Sequence, residues 1–527
     1  MRAAAARRLD NLYILALAST LLLGLAVRLS FVLGTDFPLH DGGLFYAMVR
    51  DLERSHYALP DYASYNAAHI PFVYPPLGFY LAAVLDSLLP WGLWQIFRFL
   101  PLAINVLTIG AFMLLSRALL SSRLAIVSAV LAFALFPMAF QWLIMGGGLT
   151  RAPGFFFALL AIHQAYLLYT RRERKHLWAA TLLSSCAVLS HPAMAWFTAY
   201  SVAFLFLARG RDRAGLIHSL LWAGGTLAAT APWWGLVLAR HGVEPLLAAF
   251  VSSRHQAPAY SGLLNLLTLR VANEPFSWAL GFPALLGGLV CLRKKRWLVP
   301  GWLAISILAQ SPVGLWRATA PLALLAGIGA AEGLRPLLAP TRDDLPVEGD
   351  AGRLAWRRYR LLALVLAFLL LHATAGAFAD GQALMQGLSS ADRAAMHWVA
   401  SQTPADSSFL VVTGKSWWLD DLAEWFPVLA QRQSVATPQG YEWEPGFADR
   451  LAANQAAERC AAADGNCLEN WTRETGIAFS HLYVAKAAGA GPDPSGTLRC
   501  ALQSDPRYEL LYDGPAASVY RRMAHHE

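Results

Sequence analysis

Charged residues are scarce in this chain of 527 residues, of which 14% are Asp, Glu, Lys or Arg and 56% are hydrophobic. About a quarter of the residues of an average soluble domain are charged, so the composition excludes a protein that is soluble throughout. It predicts a polytopic membrane protein. The apolar runs stop near residue 378 and the rest has mixed composition, which predicts a transmembrane domain over 1–379 and a soluble domain over 380–527.

A single basic face is also lacking, although the formal net charge is +8. The Lys and Arg residues form short clusters between apolar segments, as in RRERK (171–175), RGRDR (209–213) and RKKR (293–296). Such clusters are typical of cytoplasmic loops of membrane proteins. We therefore expect no nucleic-acid partner.

Cysteine is the third scarce residue, with five in the chain. Cys186 and Cys291 fall in apolar segments, whereas Cys460, Cys467 and Cys500 fall in the soluble domain. In an oxidising compartment, Cys460 and Cys467 can close a short disulfide loop. A metal site is the less favoured alternative, because no further Cys or His has suitable spacing.

Long apolar runs, by contrast, are abundant. A membrane-spanning helix needs about twenty apolar residues, and shorter runs cross with local thinning of the bilayer. Basic residues precede the first run without an obvious cleavage site, which favours an uncleaved anchor with a cytoplasmic N-terminus. We predict about eleven transmembrane helices, at 12–33, 97–116, 123–142, 154–170, 177–190, 193–208, 214–236, 276–292, 297–312, 319–335 and 359–378.

The apolar stretch 76–89 is predicted not to cross the membrane. Pro75 and Pro76 open it, Asp86 interrupts it and Pro90 closes it after about fourteen residues, too few for a span. If it lies along the outer interface instead, every strong basic cluster falls on the cytoplasmic side. The first outer loop then covers 34–96, and the C-terminal domain is extracytoplasmic, at a bacterial plasma membrane.

With this topology, the outer turns bring polar groups to one membrane face. A lipid-linked phosphate has its anionic head at this depth, where arginine can clamp it while a carboxylate deprotonates an incoming hydroxyl. The expected reaction is glycosyl transfer from a polyprenyl-phosphate sugar. The candidate residues on this face are Asp36, His40, Asp41, Tyr74, Arg151, His191, Arg254, His255 and Arg317.

Two short motifs resemble those of the GT-C membrane glycosyltransferases. HDGGLFYAMVRDL (40–52) is similar to their signature after the first helix, and YPPLGFYLAAVL (74–85) to the Pro-Pro amphipathic helix in their first outer loop. The resemblance implies that Asp41 serves as base or metal ligand. From the residues alone, Asp41 is also a candidate N-cap of the following helix.

The chain departs from this family in its second outer loop. GGGLTR (146–151) contains Arg151 and no carboxylate, whereas many relatives have a second acidic residue there. No metal ligand set is therefore assigned, although a divalent metal cofactor stays open. The three glycines instead favour close approach of backbone amides to an anion.

The soluble domain is predicted to be a small α/β layer. Strands are expected at 408–414 and 481–486, a hairpin at 508–522, and helices at 391–401 and 446–463. The aromatic stretch 422–443 carries Glu424, Gln439 and Glu442. Aromatic rings beside such groups favour a sugar-binding surface, and a packed aromatic core is the alternative.

Taken together, the sequence predicts an inverting membrane glycosyltransferase with Asp41 as general base. Its partners would be a polyprenyl-phosphate-linked sugar, a glycan, lipid or protein acceptor, and membrane lipids. One alternative is a non-catalytic lipid-binding or assembly protein with the same scaffold. A transporter or flippase is a second alternative, but it would carry ionisable groups near the membrane midplane.

Overall fold

The computed structural model describes residues 2–252, 278–309, 317–338, 350–382, 385–486 and 493–523. Helices make up nearly all of it as far as Gln382. A six-residue π-helix, Gly329–Leu334, directly follows the helix Thr319–Ile328. The helices are α1 (Arg2–Leu33), α2 (Gly43–Arg54), α3 (Leu77–Leu88), α4 (Leu93–Leu119), α5 (Arg123–Leu135), α6 (Gln141–Ile144), α7 (Gly148–Arg171), α8 (Arg174–Ser190), α9 (Pro192–Arg209), α10 (Arg213–His241), α11 (Glu244–Ser252), α12 (Trp278–Arg293), α13 (Leu298–Leu308), α14 (Thr319–Ile328), α15 (Arg335–Leu338) and α16 (Asp350–Gln382).

Each of the eleven predicted spans coincides at least in part with a helix. Three described helices are long and apolar enough to cross a membrane, Asp10–Leu33, Leu93–Leu119 and Gly148–Arg171, or up to five if each of two bent pairs is one span. The count of eleven crossings stays a prediction. Arg254 and His255 lie outside the described residues.

The predicted span 123–142 is broken rather than continuous. Helix α5 ends at Leu135, and the chain bends by 82° before it continues through 137–144. Pro137 begins the second piece, and a proline inside a helix removes one backbone hydrogen bond and clashes with the preceding turn. This bend turns the chain towards the glycines that precede α7.

The free carbonyls at the bend are satisfied by a buried arginine from α1. Arg28 Nη1 donates to Ala134 O at 2.6 Å, and its Nε donates to Asn105 Oδ1 at 2.6 Å. Asn105 Nδ2 in turn donates to Ala139 O at 3.1 Å. Unpaired backbone groups in an apolar interior cost several kcal/mol each, so this network stabilises the bend.

Helix α3 is the segment predicted to lie at the outer interface. Its 12 residues extend for about 18 Å at 1.5 Å per residue, too short to cross a hydrocarbon core of about 30 Å alone. A Cβ at Gly78 would lie 2.5 Å from Leu149 O, so α3 packs closely against the start of α7. The loop before it contains a two-stranded antiparallel pair, β1 (Tyr62–Ala63) and β2 (Ile70–Pro71).

The C-terminal region is an α/β domain, as predicted. Its five-stranded sheet has the order β4-β3-β5-β7-β6. β3 pairs in parallel with β4 and β5, whereas β7 pairs antiparallel with β5 and β6. The elements are α17 (Ser390–Gln402), β3 (Ser408–Val412), α18 (Asp421–Leu429), β4 (Gln433–Ser434), α19 (Phe447–Arg459), α20 (Gly465–Thr475), β5 (His481–Ala485), α21 (Gly496–Leu502), β6 (Tyr508–Asp513) and β7 (Ala517–Arg522).

A disulfide joins the end of α19 to α20. Cys460 and Cys467 are bonded, with their Cα atoms 5.6 Å apart. The loop between them is short, so the bond removes little chain entropy from the unfolded state, of the order of 2–3 kcal/mol. The pairing confirms the disulfide that the sequence left as one of two alternatives.

The C-terminal domain lies directly on the segment 34–96, which is predicted as the first outer loop. Trp425 of α18 is fully buried and packs edge-on against Phe37, with ring centroids 4.9 Å apart. Asn66 Nδ2 donates to Ser434 O at 2.9 Å, and Ser434 N donates to Asn66 Oδ1 at 2.6 Å. A shared core and paired hydrogen bonds therefore fix α18 against the segment that carries Asp41.

Candidate active site

An ion pair between Asp41 and Arg151 forms the centre of the candidate site. Asp41 Oδ2 contacts Arg151 Nη2, and Asp41 Oδ1 accepts a hydrogen bond from Gly147 N at 2.8 Å. Arg151 Nη1 donates to Trp142 O at 2.9 Å. The two side chains are only 14% and 15% exposed, so the charges attract each other more strongly than they would in water.

Glycines permit the close approach of the two segments that bring these residues together. Gly42 has φ of 129°, a conformation that a residue with a Cβ rarely adopts. A Cβ on Gly42 would lie 3.0 Å from the Cα of Gly146, and one on Gly147 would lie 2.6 Å from Asp41 Oδ2. Gly42, Gly146 and Gly147 are thus required by contact between these two segments, whereas a Cβ on Gly43 would meet Glu424 O at 2.5 Å.

Asp41 does not cap the helix that follows it. Gly42 is the N-cap of α2, and no side chain accepts a capping hydrogen bond there. The carboxylate lies instead at the N-terminus of α7, where Gly147 is the N-cap. Helix N-termini carry partial positive charge, so α7 and Arg151 together form an environment that favours an anion.

A second carboxyl group comes from the C-terminal domain. Glu424 Oε1 accepts a hydrogen bond from Gly42 N at 2.9 Å, and the residue is 9% exposed. Burial, and then the negative charge of Asp41, raise the pKa of Glu424 to about 8. At neutral pH this carboxyl is therefore mainly protonated beside an ion-paired carboxylate, an arrangement that separates acid and base roles in many enzymes.

Tyr74, His191 and Arg317 lie around the start of α9, close to α7. The Tyr74 ring is 5.9 Å from the His191 ring, and burial raises the pKa of Tyr74 to about 12. His191 Nδ1 accepts from Ala193 N at 3.1 Å and caps α9. Arg317 is 7% exposed and donates to Ala193 O at 3.2 Å.

This second group adjoins the Asp41–Arg151 pair. A Cβ on Gly154, one turn beyond Arg151 on α7, would lie 3.1 Å from His191 Cβ. Thr150 Oγ1 lies 3.4 Å from Tyr74 Oη. The structure thus brings Tyr74, Arg151 and His191 together with Asp41, and Arg317 contacts Ala193, two residues after His191.

The remaining predicted site residues are more dispersed. Asp36 pairs with Arg393 at 2.6 Å and is 73% exposed, which links the first outer loop to α17. Gln439 Nε2 donates to Trp417 O at 3.1 Å. Glu442 Oε2 accepts from Gly440 N at 2.6 Å, and burial raises its pKa to about 7.

Sequence reasoning missed the tryptophans that surround the ion pair. The ring centroid of Trp142 lies 5.6 Å from the Arg151 guanidinium and 5.7 Å from the His40 ring. Trp418 of the C-terminal domain lies 6.4 Å from the Trp142 ring. The sequence feature that could have indicated a role for Trp142 is its position at the end of an apolar segment, four residues before the glycine run.

Among the described residues, no group of three or more His, Cys, Asp and Glu side chains gathers to hold a metal ion. Asp41 and Glu424 supply two carboxyls, but Asp41 is already neutralised by Arg151. The described residues therefore do not fit a divalent cation.

The fold is similar to those of several solved structures. One such structure is the oligosaccharyltransferase of Archaeoglobus fulgidus in the apo form, which matches with a TM-score of 0.55 and 15% identity over 90% of this chain and 69% of that chain. ArnT from Cupriavidus metallidurans, bound to undecaprenyl phosphate, matches with a TM-score of 0.54 and 16% identity over 97% and 98% of the two chains.

A third match is to a longer protein. The arabinofuranosyltransferase AftD from Mycobacteria matches with a TM-score of 0.54 and 18% identity, over 98% of this chain and 42% of that chain. Such low identities establish the fold alone, because one fold supports many activities.

Comparisons of the amino-acid sequence alone give less information about the protein than the structural matches do. The family model for the 6-pyruvoyl-tetrahydropterin synthase related domain, described as a membrane protein, matches residues 73–325, a little under half of the chain. No curated protein matches. The match agrees with the apolar helices in making the chain a membrane protein.

Proposed function

We propose that the chain is an inverting glycosyltransferase that moves a sugar from a polyprenyl-phosphate donor to an extracytoplasmic acceptor. The observation that carries the proposal is the ion pair of Asp41 and Arg151 at the N-terminus of α7. A carboxylate and an arginine in contact supply a base and an anion clamp at one point. The solved structures with this fold include proteins in complex with dolichol-phosphate or undecaprenyl phosphate.

In the proposed reaction, the acceptor hydroxyl oxygen attacks the anomeric carbon and its proton moves to Asp41. The bond between that carbon and the phosphate oxygen breaks, and its electron pair stays with the polyprenyl phosphate. Arg151 and Arg317 stabilise the charge on the leaving phosphate. A single displacement inverts the configuration at the anomeric carbon.

The ion pair also predicts an order of binding. Arg151 carries donor hydrogens beyond those that it directs at Asp41 and Trp142, so an incoming phosphate can share its guanidinium. The shared charge then attracts Asp41 less, which makes the carboxylate a stronger base. Donor binding would thus activate the base before the acceptor arrives.

The position of Glu424 favours an enzyme over a protein that has the same fold but no catalytic activity. The second outer loop has no acid, but the C-terminal domain puts a protonated carboxyl on the amide next to Asp41. A protonated carboxyl can donate a hydrogen bond to the sugar or to the phosphate. This feature favours an enzyme over a non-catalytic lipid-binding protein.

Genetic complementation tests the proposal. Cell-envelope glycans would be compared in cells that lack the gene and in cells that express the wild type, Asp41→Asn or Asp61→Asn, with protein levels checked by immunoblot. Asp61 is an acid of the same loop that pairs with Arg240 and is 62% exposed, so it serves as a matched control. The wild type and Asp61→Asn should restore a lost linkage, and Asp41→Asn should lower it by about 10²–10⁴-fold.

Two results would count against the proposal. Full restoration by Asp41→Asn removes Asp41 as the base. An unchanged glycan profile in the deletion strain rules out a glycosyltransferase of the cell envelope.

A further inference from the structure

Two carboxyl groups of the C-terminal domain share one hydroxyl group. Thr413 Oγ1 donates to Asp420 Oδ2 at 2.7 Å and lies 3.4 Å from Glu458 Oε2. The two carboxyl oxygens are therefore within about 6 Å of each other, because the same atom contacts both. A threonine hydroxyl has a single hydrogen to donate, so Thr413 cannot satisfy both carboxyls as ionised acceptors at once.

The first of these carboxyls fixes the start of α18. Asp420 is 2% exposed, and its Oδ1 accepts from Ala423 N at 3.0 Å as the N-cap of that helix. The next residue is Glu424, whose Oε1 accepts from Gly42 N. Tyr65 Oη also donates to Glu424 O at 2.7 Å. The cap is thus one helical turn from the contact between the C-terminal domain and the segment that carries Asp41.

The second carboxyl, Glu458 of α19, holds the segment that precedes α18. Its Oε2 accepts from Thr413 N at 3.0 Å and from Gly414 N at 2.6 Å. Its Oε1 is buried and has no hydrogen-bond partner among the described residues. A buried charged oxygen without a partner is costly, so this position favours a proton on Oε1, while Oε2 accepts from the two amides.

Few charges are available to offset ionisation of both groups. Lys415 and Asp421 face Asp420, but Lys415 Nζ already bonds to Asp421 Oδ1 at 2.9 Å. The phenol of Tyr65 also lies near Asp420. Burial raises the pKa of Asp420 to about 6, and burial and then the charge of Asp420 raise the pKa of Glu458 to about 8. Near neutral pH the pair therefore holds one proton.

We propose that Asp420 and Glu458 are positioning residues that make the placement of Glu424 depend on pH. While the pair holds a proton, the cap and the two amide contacts fix the start of α18. Loss of this proton puts two like charges close together in a buried place, which loosens the start of α18 and its contact with Gly42. The role in catalysis rests on the proposed function, whereas the effect on α18 does not.

The sign of the effect follows from the direction of the pKa shift. The pKa of Glu458 is higher in the folded protein than its ordinary value of 4.5. The stabilisation is therefore complete below pH 4.5 and is lost as the pH rises towards 8. Helix α18 should be held firmly in acidic and neutral medium and loosely in alkaline medium.

Hydrogen exchange of backbone amides tests the inference. Full-length protein in detergent micelles would be compared at pH 6.5 and 8.5 by mass spectrometry, with rates corrected for the intrinsic effect of pH. Amides of α18 should exchange tenfold or more faster at pH 8.5, because local opening exposes them. Helix α20 is the internal control, since its N-cap Asp464 is exposed, and its corrected rates should not change.

Variants identify the groups that cause the response. Glu458→Gln keeps an acceptor for the two amides but cannot ionise, so it should remove most of the response. Asp420→Asn keeps a good cap and removes one charge, so it should also reduce the response and decides the test if Glu458→Gln does not fold. Glu509→Gln is the matched control, because Glu509 pairs with Arg521 and is 45% exposed; it should respond as the wild type does.

The role in catalysis is measured in complemented cells grown at pH 6.5 and 8.5. Between these values the glycan linkage should fall at least threefold more in the wild type than in Glu458→Gln. Because Glu424 can itself ionise in this range, the difference between the two proteins isolates the effect of the pair. Equal losses in the two proteins overturn the role in catalysis.

Two exchange results overturn the whole inference. They are corrected α18 rates in the wild type that do not depend on pH, and an undiminished response in Glu458→Gln. The proposed function is tested separately by Asp41→Asn. If Asp41→Asn abolishes the linkage while α18 does not respond to pH, the proposed function stands and only this inference is wrong. If α18 responds as expected but Asp41→Asn restores the linkage, the pH dependence stands and Asp41 is not the base.

Discussion

Two buried arginines, Arg28 in α1 and Arg151 in α7, show how the same side chain takes different roles in two regions of the molecule. Arg28 is fully buried and bonds to backbone carbonyls and to Asn105; among the described residues, no carboxylate pairs with it. Arg151 pairs with Asp41. Carbonyl partners are permanent parts of the chain, whereas a carboxylate partner can share its cation with a phosphate.

The comparison predicts opposite consequences for one substitution at the two positions. Arg28→Met leaves Ala134 O and Asn105 Oδ1 without their arginine donor, so the free energy of unfolding should fall by about 3 kcal/mol or more. Arg151→Met should lower stability less, because its side chain is 15% exposed, but it should weaken binding of undecaprenyl phosphate tenfold or more. Thermal unfolding in detergent and lipid-phosphate binding measure the two effects.

The proposed difference between Arg28 and Arg151 is wrong if either variant shows the effect expected of the other. Loss of lipid-phosphate binding in a well-folded Arg28→Met protein would make Arg28 part of the site. Unaltered binding in Arg151→Met would leave Arg151 as a structural residue like Arg28.

A glycine substitution tests the geometry of the site region alone. A Cβ on Gly147 would lie 2.6 Å from Asp41 Oδ2 and closer still to Arg151, so Gly147→Ala should separate the pair. Displacement of reacting groups by about 1 Å can cost 10²-fold in rate, and we expect a 10–100-fold loss of the glycan linkage in complemented cells.

The matched control is Gly235→Ala, since a Cβ at Gly235 in α10 meets nothing within 4 Å. This variant should keep activity and unfold at the same or a slightly higher temperature, because alanine favours a helix. Equal activity in both variants would mean that the close contact is not needed.

The smallest expected effect concerns the pH dependence of stability. Burial raises the pKa of Glu424 from 4.5 to about 8, so the unfolded chain ionises this group at lower pH than the folded protein does. The stability contributed by the protonated group is complete below pH 4.5 and is lost as the pH rises towards 8. Glu424→Gln cannot ionise and should reduce this slope.

Thermal unfolding across pH 5–9 measures the slope in both proteins. Glu442 also has a raised pKa, of about 7, so part of the slope should persist. An identical slope in the wild type and Glu424→Gln would show that Glu424 is ionised in the folded protein at neutral pH.

Local patterns were sufficient to predict much of the architecture. Long apolar runs located the helices, and short apolar runs located β3 and β5. The Asp-Gly pair at 513–514 correctly indicated the turn between β6 and β7. The glycine run before Arg151 brings Gly147 N to the Asp41 carboxylate, whereas its contact with a ligand anion stays a prediction.

Contacts between distant residues were not predictable in this way. Glu424 meets Gly42 across 382 positions, and no local pattern encodes that pairing. The bend after α5 was missed although Pro137 was visible, because the apolar composition continues through it. The structural role of Arg28 was not predicted. The residue lies in an apolar run, and two of its partners are backbone carbonyls, which any sequence supplies.

The link from Glu424 to Gly42 has a consequence for biosynthesis. A nascent chain that has emerged as far as Gln382 already contains the aspartate and the arginine, but not yet the glutamate or the tryptophans of α18 and the segment before it. Translation must therefore pass α18 before the site is whole. Under the proposed function, a precursor that ends before α18 would have the ion pair of Asp41 and Arg151 but would lack the second carboxyl group.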